Sequence, residues 1–321
     1  METNEHSKTD VKLLADRIKA EVHKVIVGQD SLIDQLIAGI LANGHILIEG
    51  VPGIAKTLAA KLIAKSISCG FSRIQFTPDL MPSDILGTNV FNVKESRFEF
   101  HAGPIFANLI LIDEINRSPA KTQSALFEAM EERQISIDGT TRIMDLPFLV
   151  FATQNPIEHE GTYRLPEAQL DRFIFKIIIN YPEQEQEIEI LNRAHNRKSR
   201  PETEEINAVA GKEEILAAQE AVKLIHIEEP LRKYIAQIVG LTRNNPSIYL
   251  GASPRASIHL MNAAKAFAAI EGRDFVIPED IRLAAIPVLN HRILLTPEKE
   301  MEGITTDRVI RQIIDTLEVP R

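Results

Sequence analysis

The sequence predicts an α/β domain with a mostly parallel β-sheet and helices on both faces, followed by a second domain made only of helices. Short apolar stretches suited to buried parallel strands recur along the first part of the chain, up to Ile179. Stretches with helical periodicity lie between several of them, and this alternation is typical of a parallel sheet covered on both faces. After Tyr181 and Pro182 the composition becomes charged and helical, which predicts a change of domain.

These patterns assign the elements in chain order. Strands are predicted at residues 46–48, 74–76, 109–112, 149–151 and 173–179. Helices are predicted at residues 57–67 and 120–133 in the first domain and at 213–224, 230–242, 255–271, 278–289 and 306–317 in the second. Pro278 suits the first turn of its helix because its fixed φ is helical.

Two segments that interrupt the first domain, at about residues 88–102 and 133–146, are predicted to form β-hairpins. Apolar residues alternate around a polar turn in the first, and the second contains Asp138-Gly139, which suits a tight reversal. The alternative is that both segments extend the sheet. The predicted organisation is a polar tail at 1–15, a core at 16–182 with both hairpins, a linker at 183–211 and a helical domain at 212–321.

The composition is that of an ordinary globular protein. The 321 residues are 44% apolar and 25% charged, which argues against disorder and favours two domains. A formal net charge of -9 gives no general attraction to nucleic acid or to an anionic membrane. Residues 1–10 lack the apolar stretch of a secretion signal, and Cys69 is the only cysteine, which excludes an internal disulfide. We therefore expect a cytoplasmic protein without membrane insertion.

A phosphate-binding loop is predicted where the first strand meets the first helix. The segment is Gly50-Val51-Pro52-Gly53-Ile54-Ala55-Lys56-Thr57. Gly50 and Gly53 let backbone N–H groups approach a triphosphate. Lys56 can reach the outer phosphates, and Thr57 offers a hydroxyl to Mg²⁺. The strict pattern has glycine before the lysine, where Ala55 adds only a methyl group, and the alternative is an ordinary strand-loop-helix turn.

Polar side chains follow two further predicted strands. Asp113 and Glu114 lie at the carboxyl end of the third strand, where open α/β sheets bind their ligands. Asp113 can orient Mg²⁺, and Glu114 is placed to polarise an attacking water. Asn155 follows the fourth strand and can hold the same water. Without a phosphate loop, the acidic pair would instead be an acidic loop or a helix cap.

Two arginines are candidates for contacts with phosphate. Arg172 precedes the fifth strand and can neutralise charge on a transferred phosphoryl group, with Arg164 and Arg117 as lesser candidates. The alternative for Arg172 is a surface salt bridge with Asp171 or Glu167. Arg255 lies in the first turn of a predicted helix, where it opposes the helix dipole, so an anion can be its partner.

Together these motifs resemble those of the AAA+ ATPases, and their residues resemble the MoxR branch of that family. The motifs lie at residues 50–57, 113–121, 152–156, 165–173 and 251–255. The resemblance covers about residue 20 to the C-terminus, and Ala55 is usual in this branch. It implies these roles: Lys56 and Thr57 as Walker A, Asp113 and Glu114 as Walker B, Asn155 as sensor 1, Arg172 as the arginine finger, Arg255 as sensor 2, and Val27 and Gly28 beside the adenine. His159 and Arg164 depart from the expected Gln and Pro.

The resemblance also implies how such a protein acts. ATP and Mg²⁺ would lie between neighbouring subunits of a ring, usually a hexamer, with Arg172 or Arg164 acting on the neighbour's nucleotide. Hydrolysis would drive chaperone-like remodelling, assembly or metallation of a protein client, often with a partner that contains a von Willebrand factor A domain. Alternatives are a motor on nucleic acid, a switch that binds ATP without turnover, and, as the weakest, a small-molecule kinase. The negative charge disfavours the motor, although Lys94, Arg97 and Arg142 lie on the hairpins.

Overall fold

The structure, a computed structural model, describes residues 3–51, 53–156, 163, 165–197 and 201–320, with side chains from Val11 onward. The strands are β1 (His45–Glu49), β2 (Ile67–Ser68), β3 (Phe71–Gln75), β4 (Gly87–Asn92), β5 (Arg97–Ala102), β6 (Leu109–Asp113), β7 (Gln134–Ile137), β8 (Thr140–Ile143), β9 (Leu149–Gln154), β10 (Phe173–Ile178), β11 (Ala210–Gly211), β12 (Ile248–Leu250) and β13 (Leu294–Leu295). The helices are α1 (Thr3–Val22), α2 (Asp30–Leu41), α3 (Lys56–Ser66), α4 (Pro82–Leu86), α5 (Ala120–Glu132), α6 (Glu167–Leu170), α7 (Gln184–Arg197), α8 (Lys212–Lys223), α9 (Glu229–Arg243), α10 (Pro254–Ile270), α11 (Pro278–Leu289), α12 (Pro297–Met301) and α13 (Thr306–Thr316).

Five strands form a parallel sheet in the order β10-β1-β9-β6-β3, which confirms the predicted α/β core. Each of them overlaps one of the apolar stretches found in the sequence. Alternate residues point to opposite faces, so Ile46 and Ile48 belong to one hydrophobic cluster and Leu47 to the other. Because helices cover both faces, the inner strands are apolar at nearly every position.

Parallel pairing gives the sheet two chemically different edges. At the carboxyl edge, Glu49 of β1 lies in register with Gln154 of β9. At the amino edge, His45 of β1 lies in register with Phe173 of β10. A five-residue strand rises about 17 Å, so residues that follow β1 and residues that precede β10 lie on opposite sides of the core.

The two inserted segments form separate antiparallel hairpins, β4-β5 and β7-β8, and do not extend the central sheet. Asp138 and Gly139 both have positive φ, at 50° and 77°, as the turn chemistry predicts. The hairpins contact each other, because Asn89 Nδ2 donates to Asp138 Oδ2 at 2.5 Å and the Arg142 guanidinium lies 3.7 Å from the Phe100 ring centroid. Arg142 is therefore already engaged within the chain.

The second domain contains the predicted helices, each within one or two residues of its expected bounds, and forms the helical lid. It is not purely helical, however. β12 pairs with β13, and β11 pairs with β2 of the core. Ladders of two or three residues are too short to leave a period-two pattern in a sequence, which explains why they were not predicted.

The predicted tail at 1–15 is wrong for the described residues 3–15, because α1 begins at Thr3 and continues through that boundary to Val22. Val11, Leu14, Ala15 and Ile18 are buried. Positions 11, 14, 15 and 18 follow the i, i+3, i+4, i+7 spacing of one helical face, and α1 packs against α3, α8 and α10. Most other positions of α1 are polar, so the apolar spacing was not recognised in the sequence. Because α1 contacts α3 of the core and both α8 and α10 of the lid, it joins the two domains.

The predicted linker at 183–211 also differs from the structure, since α7 occupies residues 184–197. This helix was not predicted, because acidic residues are frequent in its sequence and its apolar residues are few. Further along, the lid packs directly on the core: Phe267 of α10 lies with its ring centroid 6.1 Å from that of Phe175 in β10. In the part of the chain that the structure describes, no helix has the length and apolar character needed to cross a membrane.

Two adjacent leucines of α1 test whether this helix belongs to the folded unit. Leu14 is 3% exposed and Leu13 is 53% exposed. Leu14→Ala leaves a cavity between core and lid, so we expect the free energy of unfolding to fall by about 2–4 kcal/mol in urea titrations. Leu13→Ala is the matched control, with a change below about 0.5 kcal/mol. Equal effects of the two substitutions would contradict the observed packing.

Candidate functional site

The loop between β1 and α3 has the backbone that the phosphate-loop pattern requires. Gly53 has φ of +84°, and a Cβ on Gly50 would collide with the Ile54 side chain. Ala55 has φ of 64°, in the left-handed region that favours glycine, which accounts for the glycine of the strict pattern. Pro52 lies outside the described residues. Lys56 begins α3, so the loop leads into the positive end of a helix dipole.

Lys56 lies at the carboxyl edge of the sheet. Its ammonium group donates to the carbonyl oxygen of Gly50 and, at 3.2 Å, to that of Gln154. Gly50 directly follows β1, and Gln154 is the last residue of β9. The side chain thus holds a positive charge between the ends of two adjacent strands, in reach of an anion on the loop.

Thr57 and Asp113 form the oxygen pair expected of a Mg²⁺ site. Thr57 Oγ1 donates to Asp113 Oδ1 at 2.8 Å, and Arg73 Nε donates to Asp113 Oδ2 at 2.7 Å. Hydroxyl and carboxylate oxygens suit Mg²⁺, which usually takes one or two protein ligands and completes its shell with phosphate and water. Within the described residues no cluster of three His, Cys, Asp or Glu side chains is present, and such a Mg²⁺ site needs none.

Glu114 adopts an uncommon backbone conformation, with φ of 58°. Its N–H donates to Thr153 Oγ1 at 3.1 Å, which ties it to β9. In the side chain, Oε2 accepts from Gln75 Nε2 at 2.9 Å and lies 3.0 Å from Arg117 Nε. Both contacts fall on the same oxygen, so the other carboxylate oxygen can accept a proton from a water.

Asn155 follows β9 and is 6% exposed. It lines a cavity of about 550 Å³ that extends from the carboxyl edge of the sheet to the lid. Asn116, which is 4% exposed, lines the same cavity. The structure therefore brings Asn155 to the edge that also carries Lys56 and Asp113, as the sequence predicted.

A second cavity, of about 300 Å³, adjoins the phosphate loop. Its lining includes Val27, Gly53, Ile54 and Ala55. The predicted residue Gly28 lies beside it, where a Cβ would collide with the Gln186 side chain of α7. This cavity has the position expected for a base and sugar attached to phosphates on the loop.

Helix α7 supplies the other wall of this cavity, through Ile190, Arg193, Ala194 and Arg197. None of these residues was predicted to line a site, because the sequence predicts a linker at 183–211. Their spacing of three and four residues was a usable signal for one helical face. Arg193 is fixed in place, since its Nη1 donates to the carbonyl oxygen of His23 at 2.8 Å.

Arg172 and Arg255 lie at the opposite, amino edge of the sheet. Arg172 precedes β10, donates to the carbonyl oxygen of Phe127 and lies 3.8 Å from Glu131 Oε2. Arg255 Nη2 lies 2.6 Å from Glu131 Oε1. In this structure the anion beside Arg255 is therefore the Glu131 carboxylate. The structure therefore does not bring Arg255, which the sequence predicts to bind nucleotide, together with the phosphate loop of its own chain, since both arginines contact Glu131 at the other edge.

The structure also bears on the alternative that Arg172 forms a salt bridge with a neighbouring acid, since its acidic partner is Glu131. Asp171 pairs with Arg292 instead of Arg172. Arg117 lies beside Glu114 at the carboxyl edge, and Arg164 lies outside the described residues. Besides the residues of α7, Arg73 and Glu131 were not predicted as site residues. Arg73 sits on an edge strand with Gln75 two residues on, a weak signal, whereas nothing distinguishes Glu131 from the other acids of α5.

Comparisons with known families agree with this geometry. The profile of the family described as "ATPase family associated with various cellular activities (AAA)" matches residues 45–175. The profile described as "AAA lid domain" matches residues 240–313. The first match begins with β1 and ends within β10, and the second lies within the helical domain.

Similar proteins match over nearly the whole chain. Chaperone MoxR1 of Mycobacterium tuberculosis is 44% identical over 315 residues, which cover 95% of this chain and 82% of the relative. Protein MoxR of Methylorubrum extorquens is 31% identical over 338 residues, with 97% of each chain covered. A crystal structure of a Cytophaga hutchinsonii protein, 44% identical, superposes with a TM-score of 0.91 and covers 100% of this chain and 99% of that one.

Ala194 tests the assignment of the cavity between the phosphate loop and α7. Ala194→Phe places a ring in a space of about 300 Å³, so we expect the Kd for Mg·ATP to rise at least about tenfold in calorimetry. Asn192→Phe is the matched control, because residue 192 lies on the opposite face of α7 and does not line the cavity. Unchanged binding by the Ala194 variant would exclude this cavity as the nucleotide site.

Proposed function

Because the chain belongs to the AAA+ ATPases of the MoxR family, we propose that it hydrolyses Mg·ATP at interfaces between neighbouring copies in a ring. One observation carries this proposal. Parallel strands β1, β6 and β9 bring Lys56, Thr57, Asp113, Glu114 and Asn155 to the same edge of the sheet. This set contains each group that phosphoryl transfer to water needs from one chain.

The roles follow from the contacts. Lys56 exchanges its carbonyl partners for phosphate oxygens, which are better partners because they are charged. Thr57 and Asp113 would hold Mg²⁺, which supplies positive charge to the phosphate oxygens. Glu114 accepts a proton from the water whose oxygen attacks the terminal phosphorus, and Asn155 orients that water. ADP leaves, and the proton departs from Glu114 with the released phosphate.

The arginines complete the site from the neighbouring copy. Arg172 and Arg255 lie at the amino edge of the sheet, and the loop of their own chain lies at the carboxyl edge, a strand length of about 17 Å away. A neighbour's triphosphate can replace the Glu131 carboxylate that they contact here, since a guanidinium pairs well with either anion. We therefore assign Arg172 and Arg255 to the nucleotide of the next subunit.

We further propose that hydrolysis moves lid against core and so remodels, assembles or metallates a protein partner. The relative from Mycobacterium tuberculosis is named a chaperone, and the hairpins offer a surface for such a partner. Val93 is 79% exposed and Phe98 is 70% exposed, on a hairpin held outside the sheet. The family resemblance adds a von Willebrand factor A domain as a candidate partner, and the ring is expected to be a hexamer.

Glu114→Gln separates binding from turnover. The amide cannot accept the water proton, so phosphate release should fall by about 10²–10⁴-fold. Calorimetry should give a Kd for Mg·ATP within about twofold of the parent, because Glu114 does not hold the phosphates. Glu128→Gln, on the exposed face of α5, is the control and should keep full turnover. Undiminished phosphate release from the Glu114 variant would remove Glu114 from the mechanism.

Mixing two inactive variants tests the role of Arg172 across the interface. Arg172→Ala keeps its own Glu114, and Glu114→Gln keeps its own Arg172, so a mixed interface reunites both groups. We expect each variant alone to lack turnover and their mixture to recover a measurable share of it. The double variant, with both changes in one chain, should recover nothing when mixed with Glu114→Gln. Absence of recovery in mixtures that exchange subunits would argue against action in trans.

A further inference from the structure

The loop after α11 carries the most buried arginine of the described lid. The Arg292 side chain is 1% exposed and crosses from the lid into the core. Its Nε donates to Asp171 Oδ1 at 2.7 Å, and its Nη2 donates to the carbonyl oxygen of Asp171 at 3.1 Å. One guanidinium thus fixes both the side chain and the backbone of the residue before Arg172.

Asp171 is also held from a second lid element. Ser253 Oγ, just before α10, donates to Asp171 Oδ2 at 3.0 Å. Arg255 follows two residues later and contacts Glu131, which also lies near Arg172. Two separate parts of the lid therefore converge on the short segment that carries Arg172.

The same lid loop binds the backbone that follows Arg172. Arg292 donates to the carbonyl oxygens of Phe173 and Ile174, the latter at 3.3 Å. His291 Nε2 lies 3.1 Å from the Phe173 carbonyl oxygen, and Asn290 Nδ2 donates to that of Lys176 at 3.1 Å. β10 is an edge strand of the sheet, so its outer carbonyls need donors from elsewhere, and the lid supplies them.

In this cluster the positive charge of Arg292 is paired with the negative charge of Asp171. Burial lowers the pKa of Arg292 to about 10 against the opposing effect of Asp171, so the guanidinium remains charged at neutral pH. His259 Nδ1 contacts Arg292 Nη2. Burial, and next the charge of Arg292, lower the pKa of His259 to about 3, so its imidazole is neutral and can accept from the guanidinium. Removing one partner of a buried ion pair would leave the other charge unpaired, so Arg292 and Asp171 hold each other in place.

We propose that Arg292 is a positioning residue for Arg172: it fixes Asp171 and Phe173 on either side, so that the lid sets where Arg172 meets the neighbour's nucleotide. The inference rests on the proposed action of Arg172 in trans. It adds that lid position and arginine position are linked within one subunit. A purely stabilising Arg292 would instead affect every function of its own subunit equally.

The mixing experiment can separate these possibilities. In the parent mixture, the Glu114→Gln subunit donates Arg172, and the Arg172→Ala subunit supplies the working site. We add Arg292→Gln to one or the other. Asp171 is 21% exposed, so water can replace the lost guanidinium at its carboxylate, and glutamine keeps donors for the strand. Thermal unfolding and Mg·ATP binding of each variant confirm that the subunits remain folded.

We expect an asymmetric result. On the donor subunit, Arg292→Gln should lower the recovered turnover by at least about tenfold, because a misplaced catalytic group loses its oriented contact. On the subunit that already lacks Arg172, the change should be below about twofold. Equal losses in both positions, or no loss on the donor, would overturn the inference while leaving the trans role intact. A parent mixture without recovery would overturn the trans role, and the inference with it.

Ser253→Ala serves as a second variant if Arg292→Gln does not fold. It removes the hydroxyl from the other Asp171 oxygen without leaving a buried charge unpaired. The same asymmetry is expected with a smaller loss, of about two- to fivefold on the donor subunit. A symmetric response to this substitution would also count against a positioning role for the lid.

Discussion

Parallel pairing of β1, β9 and β6 is the constraint on which the site depends. In a parallel sheet all carboxyl ends meet at one edge, so the phosphate loop, Asp113 and Asn155 become neighbours although they are far apart in the chain. The same pairing sends the segment before β10 to the other edge. Acidic and amide groups for hydrolysis thus collect at one edge, and Arg172 is carried to the opposite one.

Hydrogen bonds at the carboxyl edge connect the strands through their polar ends. Thr153 Oγ1 accepts from the Glu114 N–H and lies 3.3 Å from Asp113 Oδ1, while Arg73 approaches the same carboxylate from β3. Asp113 is 3% exposed, so its charge is stabilised by these partners more than by water. These side-chain contacts therefore link the carboxyl ends of β3, β6 and β9 in addition to the backbone pairing of the strands.

Most of the core and the carboxyl-edge groups could be predicted from the sequence, because apolar stretches mark buried strands and the groups follow them directly. α7 was not predicted, because its many acidic side chains resemble a linker, although the residues that line the cavity recur with the three- and four-residue spacing of one helical face. Contacts such as Glu131 with Arg255 join residues more than a hundred positions apart. Only the fold decides which of several similar carboxylates meets a given arginine.

The opposite placement of the two sets of groups also constrains assembly. The surface that carries Arg172 and Arg255 and the surface that carries the phosphate loop are different patches, so copies that joined them would do so head to tail. Head-to-tail contacts produce a closed ring when the rotation between copies closes and a filament when it does not. The lid contributes directly to the arginine surface, since Ser253 and Arg292 hold Asp171 while Arg255 lies beside it. Under the proposed trans role of Arg172, a movement of the lid would therefore alter the surface offered to the next copy, and a ring built this way would couple its sites through the lids.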